Sequence, residues 1–135
     1  MQRILPAPPE AVYDAWLDES SLREFMCPAP GRATEVEVDA RVGGSLRVVM
    51  TFPDRRTEIT GEFVALDRPD RICFTWHTDG GDAESIVTVL LAPHGASETQ
   101  MTIIHSRQQP ELVPRYQAGW GSIAERLADH LAARG

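Results

Sequence analysis

Near the end of the chain, residues 116–131 read YQAGWGSIAERLADHL. The large apolar side chains of this stretch are Tyr116, Trp120, Ile123, Leu127 and Leu131. They follow one another at intervals of three or four positions, so that on an α-helix they form one continuous stripe. The sequence therefore predicts a long amphipathic helix that buries one face.

The middle of the chain alternates apolar with polar side chains, which is the pattern of half-buried β-strands. In one such segment Ile72, Phe74 and Trp76 share a face and are separated by smaller or polar residues. Turn signals separate the segments, as at Asp79-Gly80-Gly81-Asp82, where a loose hairpin loop is expected. Gly61 falls inside a strand pattern and predicts the bulge or bend by which a sheet curls around a helix.

Two short helices are predicted before these strands. Pro8-Pro9-Glu10 favours a helix start, because proline suits the first turn and an acid suits the helix dipole. Ser20 or Ser21 is the expected N-cap of a second helix that ends at Pro28. A short strand over residues 2–6 precedes both helices.

The order of these elements predicts an α+β fold closed by the long helix, which begins at Pro110 or around Pro114. A curved antiparallel sheet would grip that helix and leave a cavity between sheet and helix. The aromatic end of the apolar stripe would then face the cavity.

Composition limits the classes of function. A chain of 135 residues is long enough for one domain, expected over residues 1–135. A net charge of −7 disfavours nucleic acid as a partner, and none is expected. All 13 basic residues are Arg, which rules out Schiff-base lysine chemistry. No apolar run reaches membrane-spanning length and no leader segment is recognised, so a cytoplasmic location with reduced Cys27 and Cys73 is expected.

Short motifs follow one another across almost the whole chain. They are APPEAVYDAW at residues 7–16, Arg41-Val42-Gly43-Gly44, Gly61-Glu62-Phe63, Phe74-Thr75-Trp76, Glu84-Ser85, the strand-ending His105, and Gly119-Trp120. In their order and spacing they resemble the activator-of-heat-shock-protein-ATPase homologue-like (AHSA-type) family. That family lies within the START and birch-pollen-allergen-like superfamily, also called SRPBCC.

The resemblance implies a helix-grip fold, with a seven-stranded antiparallel sheet wrapped around the C-terminal helix and a cavity between them. Superfamily members bind lipids, sterols, polyketides or other small apolar molecules, and some are cyclases or hydrolases. The co-chaperone role in the family name belongs to particular eukaryotic proteins with an additional domain, for which this sequence gives no sign.

Two departures from the family pattern carry expectations. Phe25-Met26-Cys27 stands where the family tends to place tryptophan, which predicts a more adaptable cavity wall. The first strand is also shorter than usual, which would expose a sheet edge and predicts pairing with a second copy as a homodimer.

Inward strand positions and the helices supply the expected ligand contacts. The predicted ligand-binding residues are Trp16, Phe25, Met26, Met50, Phe52, Phe63, Phe74, Trp76, Met101, His105, Tyr116 and Trp120. Each side chain has the alternative role of plain core packing. As a set they favour an apolar binding pocket.

His105 is the one ionisable side chain that strand parity points inward. It is either a hydrogen-bonded core histidine, a partner with Tyr116 for a polar group of the ligand, or the general acid and base of an enzyme. No histidine or carboxylate spacing predicts a metal site, and no glycine-rich phosphate loop or nucleophile elbow predicts another cofactor or a hydrolase.

Three functions therefore follow from the sequence. The leading prediction is a domain that binds a small apolar or aromatic molecule. The alternatives are a cyclase- or hydrolase-like enzyme that uses His105, and a co-chaperone-like protein-interaction module.

Overall fold

The computed structural model describes residues 1–79, 84–107 and 113–134. The strands are β1 (Gln2–Leu5), β2 (Arg32–Val38), β3 (Ser45–Thr51), β4 (Arg56–Asp67), β5 (Arg71–Thr78), β6 (Ser85–His94) and β7 (Glu98–Ser106). The helices are α1 (Pro9–Trp16), α2 (Glu19–Phe25) and α3 (Val113–Arg134). Of the turn expected at residues 79–82, positions 80–82 lie outside the described residues.

All strands form one curved antiparallel sheet in the order β1-β7-β6-β5-β4-β3-β2. Strands β2 to β7 are a simple meander, and β1 returns to pair with β7. Inward side chains meet across the ladder, for example Phe63 opposite Phe74 and Val89 opposite Ile103. The predicted α+β helix-grip architecture, with two short helices after the first strand, is confirmed.

The sheet bends where β4 meets β5. The register shifts between Phe63 and Ala65, two to four positions beyond the glycine that marked the predicted bulge. Gly61 has a different role, because a Cβ built there would lie 2.0 Å from the carbonyl oxygen of Thr75. The neighbouring Glu62 N–H donates to Thr75 Oγ1 at 2.9 Å, which holds the two backbones close. Gly61 is therefore required for close approach of two strands.

The cap of α2 differs from the sequence prediction. Asp18, not Ser20 or Ser21, is the N-cap, and its Oδ2 accepts the Ser21 N–H at 3.0 Å. The hydroxyls of Ser20 and Ser21 each donate to the same oxygen at 2.8 Å, and these bonds lower the pKa of Asp18. A charged acceptor attracts all these donors at once, so the serines become residues of the first turn. The helix ends at Phe25, before Pro28.

Helix α3 lies in the grip of the sheet and begins at Val113, with Pro114 in its first turn; Pro110 lies outside the described residues. Its buried face is Trp120, Ile123, Ala124, Leu127, Ala128 and Leu131. The predicted stripe is thus the face that packs against the core, with Tyr116 half-buried at its start.

The loop between α2 and β2 is fastened to α3. Ser122 Oγ accepts the Ala29 N–H at 2.8 Å. The Arg126 guanidinium donates to the carbonyl oxygens of Cys27 at 2.8 Å and Gly31 at 2.6 Å. Helix α2 in turn packs on β2, where Glu19 Oε2 accepts the Val38 N–H at 3.0 Å. These contacts hold the loop against α3 and α2 against the edge of the sheet.

We expect Gly61→Ala to lower the free energy of unfolding by roughly 1–3 kcal/mol, because the new methyl group must push the β4 and β5 backbones apart. Gly121→Ala is the matched control. Its Cβ meets nothing within 4 Å, and alanine should stabilise α3 by about 0.5–1 kcal/mol. Urea unfolding measures both, and equal effects at the two glycines would contradict the close approach described for Gly61.

Candidate functional site: an aromatic row with a histidine relay

Aromatic side chains form a continuous row between the sheet and the three helices. In order of contact, the members of this aromatic row are Phe25, Trp16, Trp120, Trp76, Phe74 and Phe63. Successive ring centroids are 5.2 to 6.4 Å apart, within the range in which aromatic rings attract one another. Every member is buried, and the row contains all three tryptophans of the chain.

The secondary structure places each ring. Trp16 ends α1 on its buried face and Phe25 ends α2. Phe74 and Trp76 lie two positions apart in β5, which puts them on one face of the sheet. Trp120 comes down from α3 to meet Trp76 at a ring distance of 5.2 Å. The row therefore runs across every layer of the molecule.

His105 and Tyr116 join the row at its centre. The His105 ring lies 5.4 Å from Trp76, 5.8 Å from Trp120 and 4.6 Å from Tyr116. Tyr116 also stands edge-on to Trp76 at 6.2 Å. Its hydroxyl is 3.5 Å from Thr78 Oγ1, at the outer limit of a hydrogen bond.

A chain of hydrogen bonds, here named the relay, runs through His105. Trp120 Nε1–H donates to His105 Nδ1 at 3.1 Å. Because Nδ1 accepts, the proton of the neutral imidazole is assigned to Nε2, which lies 2.7 Å from Ser85 Oγ. The Ser85 hydroxyl is left to donate to the Trp76 carbonyl oxygen at 3.3 Å. Helix α3 is thus joined through His105 to the neighbouring strands β5 and β6.

The relay keeps His105 neutral. Burial lowers the pKa of His105 to about 4, because an imidazolium loses hydration in an apolar site. Protonation of the ring would also add a hydrogen to Nδ1, and this new N–H would point at the Trp120 indole N–H. Both effects oppose the charged form, so the ring serves at neutral pH as one acceptor and one donor.

Two indole N–H groups of the row have no hydrogen-bond partner among the described residues. They belong to Trp16 and Trp76, whose side chains are 2% and 5% exposed. A buried donor without an acceptor costs roughly 1–3 kcal/mol. Native proteins leave few such groups, and these two lie in the same row as Trp120, which is paired.

The structure brings most of the predicted ligand-binding residues together in or beside the row. Three others, Met26, Met50 and Met101, are buried in the same apolar core cluster. Phe52 is different, since it follows the end of β3, is only partly buried, and lies 4.1 Å beneath the Arg55 guanidinium. This cation–π contact and its neighbour Gly31 hold Phe52 at the rim of the core.

Sequence reasoning missed Ser85 and Thr78 as members of the site. The signal for Ser85 was strand parity, because it shares its face of β6 with the buried residues Val87 and Val89. It also pairs directly with Trp76 across the ladder. Its contact with His105, however, depends on the helix and could not be obtained from spacing alone.

A groove of about 810 Å³ lies elsewhere, between the start of α1 and the end of α3. Its lining residues include Asp14, Asp18 and Arg134. These groups already have structural partners: Arg68 binds Asp14 through two hydrogen bonds, Asp18 caps α2, and Arg134 donates to Ser21 Oγ. The groove contains none of the predicted ligand-binding residues, and we do not assign it a ligand.

Within residues 1–79, 84–107 and 113–134, no three His, Cys, Asp or Glu side chains gather as metal ligands would. None of the helices in the same ranges combines the length and the apolar character needed to cross a membrane.

Comparison with protein families matches residues 6–132 to the family described as Activator of Hsp90 ATPase homolog 1-like protein. The chain belongs to this family. The resemblance carried by the short sequence motifs is therefore confirmed, and the AHSA1-like match extends from the residues before α1 to the end of α3.

Solved structures agree with this AHSA1-like assignment. Protein CV1439 from Chromobacterium violaceum is 28% identical, with a TM-score of 0.83 over 97% of this chain and 94% of that one. The AHSA1 protein from Silicibacter pomeroyi is 25% identical, with a TM-score of 0.82 over 100% and 97%. The AHSA1-like protein from Aeromonas hydrophila is 25% identical, with a TM-score of 0.73 over 100% and 94%. A search of curated proteins finds no match.

The relay predicts a specific dependence of stability on pH. The pKa of His105 is about 4 in the folded state against 6.5 for an unperturbed histidine. The unfolded chain therefore binds more protons as the pH falls below 6.5, and folding stability decreases. Between pH 7 and pH 5 this loss should be roughly 1 kcal/mol after a discount for the partial exposure of the ring.

His105→Gln should remove that part of the pH dependence, because an amide can accept from Trp120 and donate to Ser85 without titrating. Urea unfolding at pH 7 and pH 5 measures the free energy of unfolding of the variant and of the wild type. The titration of the carboxylates is common to both proteins and cancels in the difference. His94→Gln, at an exposed position, is the control and should behave as wild type. Identical pH dependence in His105→Gln and wild type would contradict a half-buried His105 that stays neutral in the folded protein.

Proposed function

We propose that this chain binds a small apolar or aromatic molecule between the sheet and α3, at the aromatic row. The observation that carries the proposal is the row itself, which contains all three tryptophans of the chain and in which Trp76 and Trp120 lie against the half-buried His105. Membership in a family with a helix-grip fold, whose architecture places a sheet around one helix, supports the same conclusion.

The composition of the core around Trp76 differs from that of its other parts, which supports a binding site there. Many other core positions of the sheet and α3 are aliphatic, as at Val89, Ile103 and Leu127. Around Trp76 it combines large rings with several polar atoms, including those of His105. Apolar walls with a few polar groups are typical of small-molecule sites, whereas a core that only packs gains nothing from buried polar atoms.

The apolar surface of the rings would supply most of the affinity. A bicyclic or tricyclic molecule that buries roughly 300 Å² of apolar surface gains about 7 kcal/mol from the hydrophobic effect, before the cost of association is subtracted. The rings of the row can also contact an aromatic ligand edge to face.

The geometry of the relay favours binding over hydrolysis. A serine nucleophile must donate its hydroxyl proton to a basic imidazole nitrogen. Here the Trp120 N–H occupies the lone pair of His105 Nδ1, so the ring proton is on Nε2. The Ser85 hydroxyl oxygen then accepts a hydrogen bond from Nε2–H and cannot donate to it. The enzymatic alternative with His105 as general base would require this tautomer to change, and it stays a prediction from the sequence.

The predicted homodimer concerns the free edge of β1. This strand has four residues and pairs only with β7 in the described sheet, while Ile4 on it is 39% exposed. A second copy or another protein at this edge stays a prediction, which sedimentation equilibrium would test.

Native mass spectrometry of purified protein, followed by denaturing extraction, tests whether a small molecule is retained. For titration we would use indane and tetralin, and follow the tryptophan fluorescence, because every tryptophan lies in the row. Binding should change both intensity and emission maximum. The absence of a retained molecule together with an unchanged spectrum in both titrations would contradict the proposed site.

A pair of mild variants separates binding from packing. Phe74→Leu and Leu131→Val should each lower stability by roughly 1 kcal/mol. Phe74 contacts Trp76 in the row, whereas Leu131 lies on α3 about 16 Å from Trp120 along the helix axis. Only Phe74→Leu should weaken indane binding, by about tenfold. Equal affinities in the two variants would mean that the row is ordinary core.

A further inference from the structure

We infer that the ligand of the aromatic row is a neutral molecule with a carbonyl-type hydrogen-bond acceptor, recognised by the indole N–H group of Trp76 or of Trp16. This inference rests on the proposed binding site and adds the chemistry of what it binds. Both indoles are buried and lack a partner among the described residues.

Trp120 shows that an indole N–H in the row can find a hydrogen-bond acceptor within the protein. Trp120 Nε1–H is paired with His105 Nδ1 at 3.1 Å. Trp16 and Trp76 both contact the Trp120 ring, at 6.4 and 5.2 Å between centroids, yet neither N–H reaches an acceptor of the described chain. An acceptor supplied by a ligand would satisfy a donor that the protein leaves unpaired.

The two groups of the row that lack a partner among the described residues, the indole N–H groups of Trp16 and Trp76, are both donors. The lone pair of His105 Nδ1 is taken by Trp120, and Nε2 is engaged with Ser85. Ser85 in turn lies within hydrogen-bond distance of the Trp76 carbonyl oxygen. Indole N–H groups donate and cannot accept. A ketone, quinone, ester or lactone oxygen complements them, whereas a protonated amine would offer only further donors.

The lack of charged groups at the row further limits the class of ligand. The row and the relay consist of apolar, aromatic and neutral polar side chains, and His105 is uncharged at neutral pH because burial lowers its pKa to about 4. A carboxylate placed among these groups would lose its hydration without gaining a cation. A neutral carbonyl compound keeps the hydrogen bonds without that penalty.

The test uses two compounds of nearly equal shape, 1-indanone and indane, which differ by one carbonyl in place of one methylene. Nuclear magnetic resonance of ¹⁵N-labelled protein resolves the three indole N–H signals expected from the three tryptophans, assigned with Trp→Phe variants. Ring-current shifts are common to both compounds, so the difference between them isolates the hydrogen bond.

We expect 1-indanone, and not indane, to move the Trp76 or Trp16 indole proton downfield, while the Trp120 signal responds equally to both. The wild type should bind 1-indanone about fivefold to tenfold more tightly than indane. Trp76→Phe together with Trp16→Phe should abolish this preference, and Leu131→Val should retain it.

The outcomes separate the two proposals. Equal affinity for both compounds, with equal indole shifts in wild-type protein, overturns the acceptor inference and leaves the binding site intact. Binding of neither compound, together with no retained small molecule in native mass spectrometry, overturns the binding site and the inference with it. The comparison of 1-indanone with indane in wild-type protein tests the acceptor inference even if the double variant fails to fold.

Discussion

The site depends on the hydrogen bond from Trp120 Nε1–H to His105 Nδ1. It joins the long helix to the last strand, fixes the tautomer of the imidazole, and thereby turns Nε2–H toward Ser85. Without it His105 would be free to present either nitrogen, and Ser85 could be donor or acceptor. One bond between helix and sheet thus fixes the donor and acceptor roles of His105 and Ser85.

Much of the architecture could be predicted because it follows from local periodicity. The stripe of α3 is a helical spacing, and the alternation in β5 gives the inward face directly. Parity also placed His105 inward, as the structure has it. These predictions needed only the geometry of one element and the rule that apolar faces are buried.

The features that spacing alone does not predict depend on competition between neighbours or between elements. Asp18 displaced the serines as the cap of α2 because a carboxylate accepts several donors at once. Phe52 lies at the rim because Arg55, three positions on, covers its ring. Ser85 entered the relay through a residue twenty positions away. The unpaired indoles of Trp16 and Trp76 are likewise defined by what surrounds them, which no spacing encodes.

The two edges of the sheet are not equivalent, and this has a consequence for assembly. At β2 the Val38 N–H is already used by Glu19, and α2 packs along that strand. At β1 the outer side of a four-residue strand is unpaired in the described sheet. If two copies joined through β1, each would use its open edge, and the edge at β2 would stay covered. Association through β1 alone would then close at a symmetric pair, because each copy has used its open edge once two copies meet.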